Sequence, residues 1–296
     1  TGELLRLLKL FQDAGIRALP FKGPVLAVAA YGNPSLRHFG DLDILMPRDD
    51  ILKAKDILVS HGYHAKLDLT ASEEAEYLRS HHDYKFIRAN DGVVVEVQWG
   101  VTQRSFIFPI KFDEIWKRRE EISLASATAP NLSLEDLLLI LCVHGAKHRW
   151  EQLRWTCDIA ELINTHRQRI DWERLIGHAR VLGGERMLLL GLFLAHDLLD
   201  AALPEYSLKR IHDDPQIKFL THQVCEGLFG DPSRPVRLHH ERPFFYVQAR
   251  ERLRDKMAIL WRYSPEYFFR AVGRMRQIGH FVSSLLSSIG YCVIDS

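Results

Sequence analysis

Cysteine is scarce in this sequence, and its spacing shows no metal-binding pattern. The 296 residues include four scattered cysteines, Cys142, Cys157, Cys225 and Cys292. No two of them are close enough to form a Cys-x-x-Cys pair, so neither a disulfide framework nor a cysteine-based zinc site is expected. We expect buried free thiols in a reducing compartment. We recognise no signal peptide, and we therefore predict a cytoplasmic protein.

The sequence also lacks an excess of charge of one sign and a long apolar run. The formal net charge is +1, which argues against a long nucleic acid as a partner. The longest apolar stretch, residues 187–203, contains His196, Asp197 and Asp200. It is too short and too charged to cross a bilayer, so it predicts a buried core helix and no membrane span.

The order of helix and strand patterns predicts an α+β fold followed by a helical domain. Residues 1–122 mix short apolar strands with helices, and an Asn-Asp-Gly turn at 90–92 is a strong hairpin signal. After about residue 122 strand patterns disappear, and helical periodicity runs through residues 123–230. Residues 231–296 form a third, arginine-rich region, where charge patterning favours solvated helices over an RNA-binding face.

Two short strands carry acidic residues in unusual positions. Asp41 and Asp43 stand two apart at the start of the strand predicted at 42–46, and residues two apart in an extended backbone point to the same face. A divalent cation is the usual compensator for such a pair. The strand at 93–99 carries Glu96 among apolar neighbours. If the two strands are neighbours, the three acids form a Mg²⁺ site for phosphoryl or nucleotidyl transfer; alternatively, Glu96 faces solvent on an edge strand.

Basic residues near these acids are candidates for phosphate binding. Lys22 and Gly23 close the first strand and open a helix, whose N-terminal N–H groups and dipole favour phosphate. The alternative is a surface lysine beside a turn glycine. Arg37 is close enough in sequence to Asp41 to reach phosphates with its forked guanidinium, or to form a salt bridge with one of the acids.

A second polar cluster lies on a helix further along the chain. His144, Lys147 and His148 share one helix face through their spacing of three and four residues, and Asp158 follows nearby. This face either lines a cleft opposite the carboxylates and binds nucleotide or acceptor, or forms an interdomain hydrogen-bond network. Zinc is disfavoured because the histidine pair lacks an obvious third ligand.

Several of these motifs, taken in order, resemble the uncharacterised nucleotidyltransferase family of the DNA polymerase beta-like nucleotidyltransferase superfamily. The resemblance covers about residues 16–165. Its motifs are Lys-Gly-Pro-Val-Leu at 22–26, Tyr-Gly-Asn-Pro-Ser-Leu-Arg at 31–37, Asp-Leu-Asp-Ile-Leu at 41–45, Val-Glu-Val-Gln-Trp at 95–99 and His-Gly-Ala-Lys-His-Arg-Trp at 144–150. This chain has Lys22-Gly23 where most of the wider superfamily has Gly-Ser, and Gln98 where many relatives have His.

The resemblance implies a nucleotidyltransferase-like mixed sheet with flanking helices. It implies Asp41 and Asp43 as ligands of Mg²⁺ or Mn²⁺, and Glu96 as a third ligand or as the base. A nucleoside triphosphate such as ATP would be the substrate, and the acceptor stays open among small molecules, peptides and proteins. Two alternatives also stay open: transfer of another group, such as a sugar, from a nucleotide-activated donor, and a non-catalytic binding protein with this fold.

Overall fold

The computed structural model describes residues 1–103, 106, 108–125, 127–230 and 244–263. Its longer helices are α1 (Gly2–Asp13), α2 (Gly23–Tyr31), α3 (Ile51–Ser60), α4 (Ala71–Ser80), α5 (Phe112–Arg118), α6 (Leu134–Lys147), α7 (Leu153–His166), α8 (Trp172–Leu182), α9 (Glu185–Leu199), α10 (Glu205–Asp213), α11 (Pro215–Phe229) and α12 (Leu253–Tyr263). Its strands are β1 (Leu19–Pro20), β2 (Asp41–Leu45), β3 (Tyr63–Ala65), β4 (Asp83–Arg88), β5 (Val94–Gln98), β6 (Glu120–Leu124) and β7 (Ala127–Asn131). The predicted α+β class is confirmed.

Five of the strands form one mixed sheet in the order β1-β2-β5-β4-β3. Strands β2 and β5 are parallel neighbours, and the register places Asp43 beside Glu96. Strand β4 is antiparallel to β5 and places Lys85 beside Glu96 from the other side. The two acid-bearing strands are therefore adjacent, as the three-acid hypothesis requires.

The sheet has one apolar face and one polar face because successive side chains alternate. Ile44 of β2, Val97 of β5 and Phe86 of β4 are fully buried and pack in a core cluster that also contains residues of α1 and α3. The alternating positions Asp43 and Glu96 must therefore lie on the opposite face. Burial of the apolar face fixes the register, since a slip by one residue would turn the acids into the core.

The helical part is built around α9. Helices α6, α7, α8, α10 and α11 all pack against it. Trp150, just after α6, is fully buried, and a Cβ added at Gly145 would lie 2.6 Å from its ring. Arg149 and Trp150 both adopt positive φ angles, 53° and 56°, a region that side-chain-bearing residues seldom enter. This tight turn ends α6 and sets the position of the side chains on its last turn.

Helix α2 joins the sheet to the helical part. Carbonyl groups near its C-terminal end accept hydrogen bonds from α7: His166 Nε2 donates to Ala29 O at 2.8 Å, and Thr165 Oγ1 donates to Ala30 O at 3.1 Å. One buried cluster contains residues of both parts, for example Leu26 and Ile163. The division at residues 122 and 230 stays a prediction.

Two expectations from the sequence need correction, and a third is confirmed. Strand patterns do not end at residue 122, because β6 and β7 form an antiparallel hairpin over 120–131. Most of the predicted third region, including Cys292, lies outside the described residues; in the described part, Arg250 is fully buried rather than solvated, and its Nη1 donates to Gly183 O. The apolar run at 187–203 is largely the buried helix α9, as predicted, and none of the described helices is long and apolar enough to span a bilayer.

Candidate active site

A cleft of about 460 Å³ separates the polar face of the sheet from the end of α6 and the start of α7. All eight predicted site residues line it: Lys22, Gly23, Arg37, Asp41, Asp43, Glu96, His144 and Lys147. The cleft is within the usual volume range of sites for small molecules. Residues from distant parts of the sequence thus meet at one place, with the acids on one wall and the histidines on the other.

The acids on the sheet wall are connected by one amide side chain. Gln98 Nε2 donates to Asp43 Oδ1 at 2.8 Å and to Glu96 Oε1 at 2.9 Å. Asp43 is 4% exposed, so its carboxylate depends on such partners. Since one NH₂ group contacts both carboxylates, Asp43 and Glu96 lie within a few ångströms of each other, and Glu96 faces the cleft.

Two lysines supply positive charge to these carboxylates. Lys22 Nζ lies 3.2 Å from Asp43 Oδ1, and Lys85 Nζ pairs with Glu96 Oε2. Lys85 was not among the predicted site residues, although the hairpin register implied by the turn at 90–92 fixes its position on β4. A lysine side chain is flexible, so both ammonium groups can move when another cation or a phosphate enters.

The compensation of the acids is incomplete. Burial, and then the charge of Asp43, raise the pKa of Asp41 above its ordinary value. Burial and Asp43 likewise raise the pKa of Glu96, although Lys85 acts in the opposite direction. Burial is the larger cause for both groups and the charge of Asp43 adds to it, so the cleft disfavours the charged forms of both carboxyl groups.

The start of α2 approaches the acidic strand closely. Lys22 is the N-cap of this helix, and Pro24 occupies its first turn, where a missing N–H costs nothing. Gly23 has φ +57°, and a Cβ at this position would lie 3.2 Å from Asp41 O. A glycine is therefore required for both the backbone conformation and the close contact. The N–H groups at the N-terminus of α2, which have no partner within the helix, therefore lie next to the acids. Such groups are what an anion site needs.

The positive charge of the opposite wall comes from Lys147 and Arg154 and not from its two histidines. Burial, and then the charge of Lys22, lower the pKa of His144 well below its ordinary value. Burial and Lys147 lower the pKa of His148 to about 4. Burial also lowers the pKa of Lys147. Both imidazoles are therefore neutral near pH 7, and they present aromatic rings rather than charges to the cleft.

A further pair of polar residues connects the two walls. His82 Nε2 lies 3.1 Å from Lys147 Nζ, and His82 Nδ1 lies 3.0 Å from Asp83 Oδ1. Neither His82 nor Asp83 was among the predicted site residues, and neither was Arg154, which lines the cleft and is exposed. His82 precedes β4 directly, so the polar alternation of that strand was the available signal.

Arg37 lines the cleft, but its guanidinium is engaged elsewhere. Its Nε and Nη2 donate to the two carboxylate oxygens of Asp158 on α7, at 2.8 and 3.0 Å. Tyr31 OH donates to Asp158 as well, at 3.0 Å. The salt bridge expected between Arg37 and Asp41 or Asp43 is thus formed with Asp158, which is not among the residues lining the cleft. The pair connects the loop before β2 to the helical part.

Asp41, Asp43 and Glu96 offer carboxylate oxygens as possible ligands for a divalent cation. Carboxylates are the ligands that Mg²⁺ prefers, and a bound cation would favour the charged forms of Asp41 and Glu96, which burial and the charge of Asp43 disfavour by raising their pKa values. Within the described ranges, no three His, Cys, Asp or Glu side chains are arranged to hold a metal ion. Lys22, Lys85 and Gln98 hold the carboxylates instead. The donor set fits a divalent cation once the lysines move aside.

Comparisons with known proteins agree with the acid-bearing sheet. The model of a family described as "uncharacterised nucleotidyltransferase" matches residues 1–200. No curated protein matches the sequence.

Two solved structures are similar over most of their length. The antibiotic-resistance factor ANT(2'')-Ia, solved in solution, shares 13% identity, with 71% of this chain and 95% of that chain covered and a TM-score of 0.37. An antigenic nucleotidyltransferase-like protein from Paracoccidioides brasiliensis shares 12% identity, with 77% of this chain and 94% of that chain covered and a TM-score of 0.37.

Proposed function

We propose that this chain, which belongs to the uncharacterised nucleotidyltransferase family, uses a divalent cation to move a nucleoside monophosphate from a nucleoside triphosphate to an acceptor. Family membership makes it a nucleotidyltransferase; the cation, the donor and the acceptor are the proposal. The observation that carries it is the convergence of Asp41, Asp43 and Glu96 on one face of the sheet, opposite Lys147 and beside the N-terminus of α2.

Asp41, Asp43 and Glu96 are the residues that would hold Mg²⁺ or Mn²⁺. Bound there, the cation would neutralise charge on the triphosphate and on the reacting oxygens. The raised pKa values of Asp41 and Glu96 support this assignment, because added positive charge would relieve the repulsion within the cluster. Lys22 and Lys85 would then be released from Asp43 and Glu96 and become available to phosphate oxygens.

The triphosphate would bind between the two walls. Backbone N–H groups at the start of α2, from Gly23 onward, and the ammonium groups of Lys22 and Lys147 supply donors for its oxygens. Arg37 would act from the rim while its ion pair with Asp158 holds it in place. Most of the catalytic effect would come from positioning and charge neutralisation, as is usual for phosphoryl transfer.

In the chemical step, one bond to the α-phosphorus forms and another breaks. An acceptor hydroxyl or phosphate oxygen forms a bond to this phosphorus, the bond to the bridging oxygen breaks, and pyrophosphate leaves. With a hydroxyl acceptor, a carboxylate must take the proton that the hydroxyl loses; if Glu96 is not itself bound to the cation, its carboxylate is placed in the cleft to act as this base. The acceptor is a small molecule, a peptide or a protein, since the net charge of +1 does not favour long nucleic acid.

The reaction is proposed to take place in the cytoplasm. Three cysteines, Cys142, Cys157 and Cys225, are free thiols. Burial raises the pKa of the Cys142 thiol, which keeps it protonated and unreactive. Unreactive free thiols are compatible with a reducing compartment.

Position-specific labelling of the donor tests the proposal. The protein would be incubated with Mg²⁺, acceptor fractions and a nucleoside triphosphate labelled at either the α- or the γ-phosphorus. We expect the α-label in the product and the γ-label in pyrophosphate. A γ-label in the product would instead indicate phosphoryl transfer, and a hexose mass from a nucleotide-sugar donor would indicate glycosyl transfer. Either result would replace the proposed reaction.

A further inference from the structure

The wall opposite the acids carries a compact group of three rings. The ring centroids of His144 and His148 are 4.6 Å apart, and Trp155 lies 5.4 Å from each of them. His144 stands on the last turn of α6, His148 is the C-cap of that helix, and Trp155 stands on the first turn of α7. All three rings line the same cleft as the acids and Lys22. We call this group the aromatic shelf.

The aromatic shelf is built to stay in place. Trp155 is partly buried and packs against the hydrophobic core cluster of the helical part. The turn between α6 and α7 is held by Trp150, which is fully buried in the space left by Gly145 and Gly191. A rigid ring group on the rim of a charged cleft has lost its side-chain entropy already, so a flat ligand can stack on it at low cost.

The shelf is also uncharged, in contrast to its surroundings. Burial lowers the pKa of His148 to about 4 and that of His144 well below its ordinary value. Neutral imidazoles offer π faces and hydrogen-bonding nitrogens. The phosphate end of the same ligand would lie at Lys22 and Lys147, which line the cleft with the shelf.

We propose that Trp155, His144 and His148 form the nucleobase subsite: the base of the bound triphosphate stacks on the ring of Trp155 beside the two imidazoles, whose planes are tilted by 84° and 43° to that ring, while its phosphates extend to Lys22 and Lys147. This inference rests on the proposed function, since it assigns a place to part of that donor. Base stacking on aromatic side chains is worth about 1–3 kcal/mol and tolerates every base, because each has a π face. The enzyme should therefore accept several nucleoside triphosphates, with purines preferred for their larger ring area.

The test separates the base from the phosphates. Isothermal titration calorimetry in Mg²⁺ compares a non-hydrolysable ATP analogue with inorganic tripolyphosphate, which has no base. In Trp155→Leu we expect about 5- to 150-fold weaker binding of the analogue, the range that corresponds to the loss of one stacked base. Tripolyphosphate binding should stay within about twofold of the wild type, and this also shows that the variant is folded.

Two control variants sharpen the result. Trp155→Phe keeps an aromatic face and should retain most of the affinity for the analogue. Trp116→Leu removes a tryptophan that stacks on Phe112 outside the cleft, and it should change neither ligand's affinity.

Three outcomes would overturn the inference. Equal affinity of Trp155→Leu and the wild type for the analogue would remove the shelf as the base subsite and leave the proposed function standing. Equal losses for the analogue and tripolyphosphate would assign Trp155 a purely structural role. Absence of binding of both ligands to the wild type would remove the proposed function together with the inference.

Discussion

Buried or half-buried acids in two regions of this molecule behave in opposite ways. At the far end of the sheet, burial acts to raise the pKa of Glu3, but hydrogen bonds from Arg6, Tyr63 and Arg88 outweigh it and lower the pKa to about 2. In the cleft, Lys85 bonds to Glu96 in a similar manner, yet burial and the neighbouring Asp43 raise the pKa of Glu96. Both acids have basic partners, but burial outweighs the lysine bonded to Glu96, and the charge of Asp43 adds to the effect of burial.

Glu3 is an acid that stabilises the fold, whereas Glu96 is an acid in a position to bind a ligand. Glu185 in the helical part behaves like Glu3, since Arg180 and Arg210 lower its pKa in spite of burial. Asp41 behaves like Glu96, because its pKa is raised. Carboxylates that repel each other lower the stability of the protein alone, and such an arrangement is typical of sites that bind a cation or a substrate.

The largest expected effect comes from Asp43→Asn. It should reduce nucleotidyl transfer by about a thousandfold or more, because cation chemistry supplies several kcal/mol and each ~1.4 kcal/mol is a factor of ten in rate. The melting temperature without metal should not fall, since one of the repelling charges is gone. Transfer kinetics and thermal unfolding measure the two quantities.

Glu3→Gln is the matched control for that variant. It removes a carboxylate bonded to Arg6, Tyr63 and Arg88 far from the cleft, so it should lower the melting temperature and leave the turnover number unchanged. Loss of transfer in Glu3→Gln, or full transfer in Asp43→Asn, would remove the distinction between the two regions.

The next effect concerns the ion pair between Arg37 and Asp158. Asp158→Asn leaves Arg37 largely buried without a counter-charge, and we expect about 3 kcal/mol less stability in urea unfolding, as is usual for a broken buried pair. The Michaelis constant for the triphosphate should also rise, since Arg37 lines the cleft.

Asp136→Asn is the comparison for this second variant. Asp136 forms a similar two-pronged pair with Arg118, at 3.0 Å for both bonds, and neither residue lines the cleft. We expect a similar loss of stability with unchanged kinetics. If both variants alter the Michaelis constant equally, Arg37 has no special position at the site.

The smallest expected effect is on how the free energy of unfolding changes with pH, measured by urea unfolding in EDTA. Variants at Glu3 and Asp41 should change the stability at pH 7 in opposite directions. The pKa of Glu3 is lower in the folded state than in the unfolded state, so its stabilising effect is complete above about pH 4.5 and is lost as the pH falls toward 2. Glu3→Gln should therefore be less stable than the wild type at pH 7 and approach it in acid.

Asp41→Asn should show the reverse behaviour. The folded-state pKa of Asp41 lies above its ordinary value of 3.8, so ionisation destabilises the fold as the pH rises past that value. The variant should match the wild type in acid and exceed its stability at pH 7. A stability loss at pH 7 would show that Asp41 belongs with Glu3 rather than with Glu96.

The sequence predicted the sheet wall of the site better than anything else in the fold. Alternation predicted that Asp41 and Asp43 share a face, and that Glu96 joins them if the two strands are neighbours; the alternative was that Glu96 faces solvent on an edge strand. The contacts of Lys85 with Glu96 and of Arg37 with Asp158 depend on register and on tertiary packing. The sequence pattern does not specify a partner 121 residues away.

The hairpin of β6 and β7 was missed for a different reason. Its turn contains Ala125 at φ 57°, a conformation that usually calls for glycine or asparagine. Strand β7, Ala127–Asn131, contains alanines and a proline, which have low strand propensity. Packing against α1 and β1 overrides these local preferences. The aromatic shelf was also missed, since nothing in the sequence shows that Trp155 approaches His144 and His148.

The acid cluster is proposed to bind a divalent cation together with the triphosphate. The most direct test of this proposal is thermal unfolding with a non-hydrolysable triphosphate, in Mg²⁺ or in EDTA. At a ligand concentration about 100 times the dissociation constant, binding adds about 2.7 kcal/mol. We therefore predict a rise of about 5 °C in Mg²⁺ for the wild type and Glu3→Gln. No rise is expected in EDTA, or in either medium for Asp43→Asn. An equal rise for Asp43→Asn and the wild type would contradict the account.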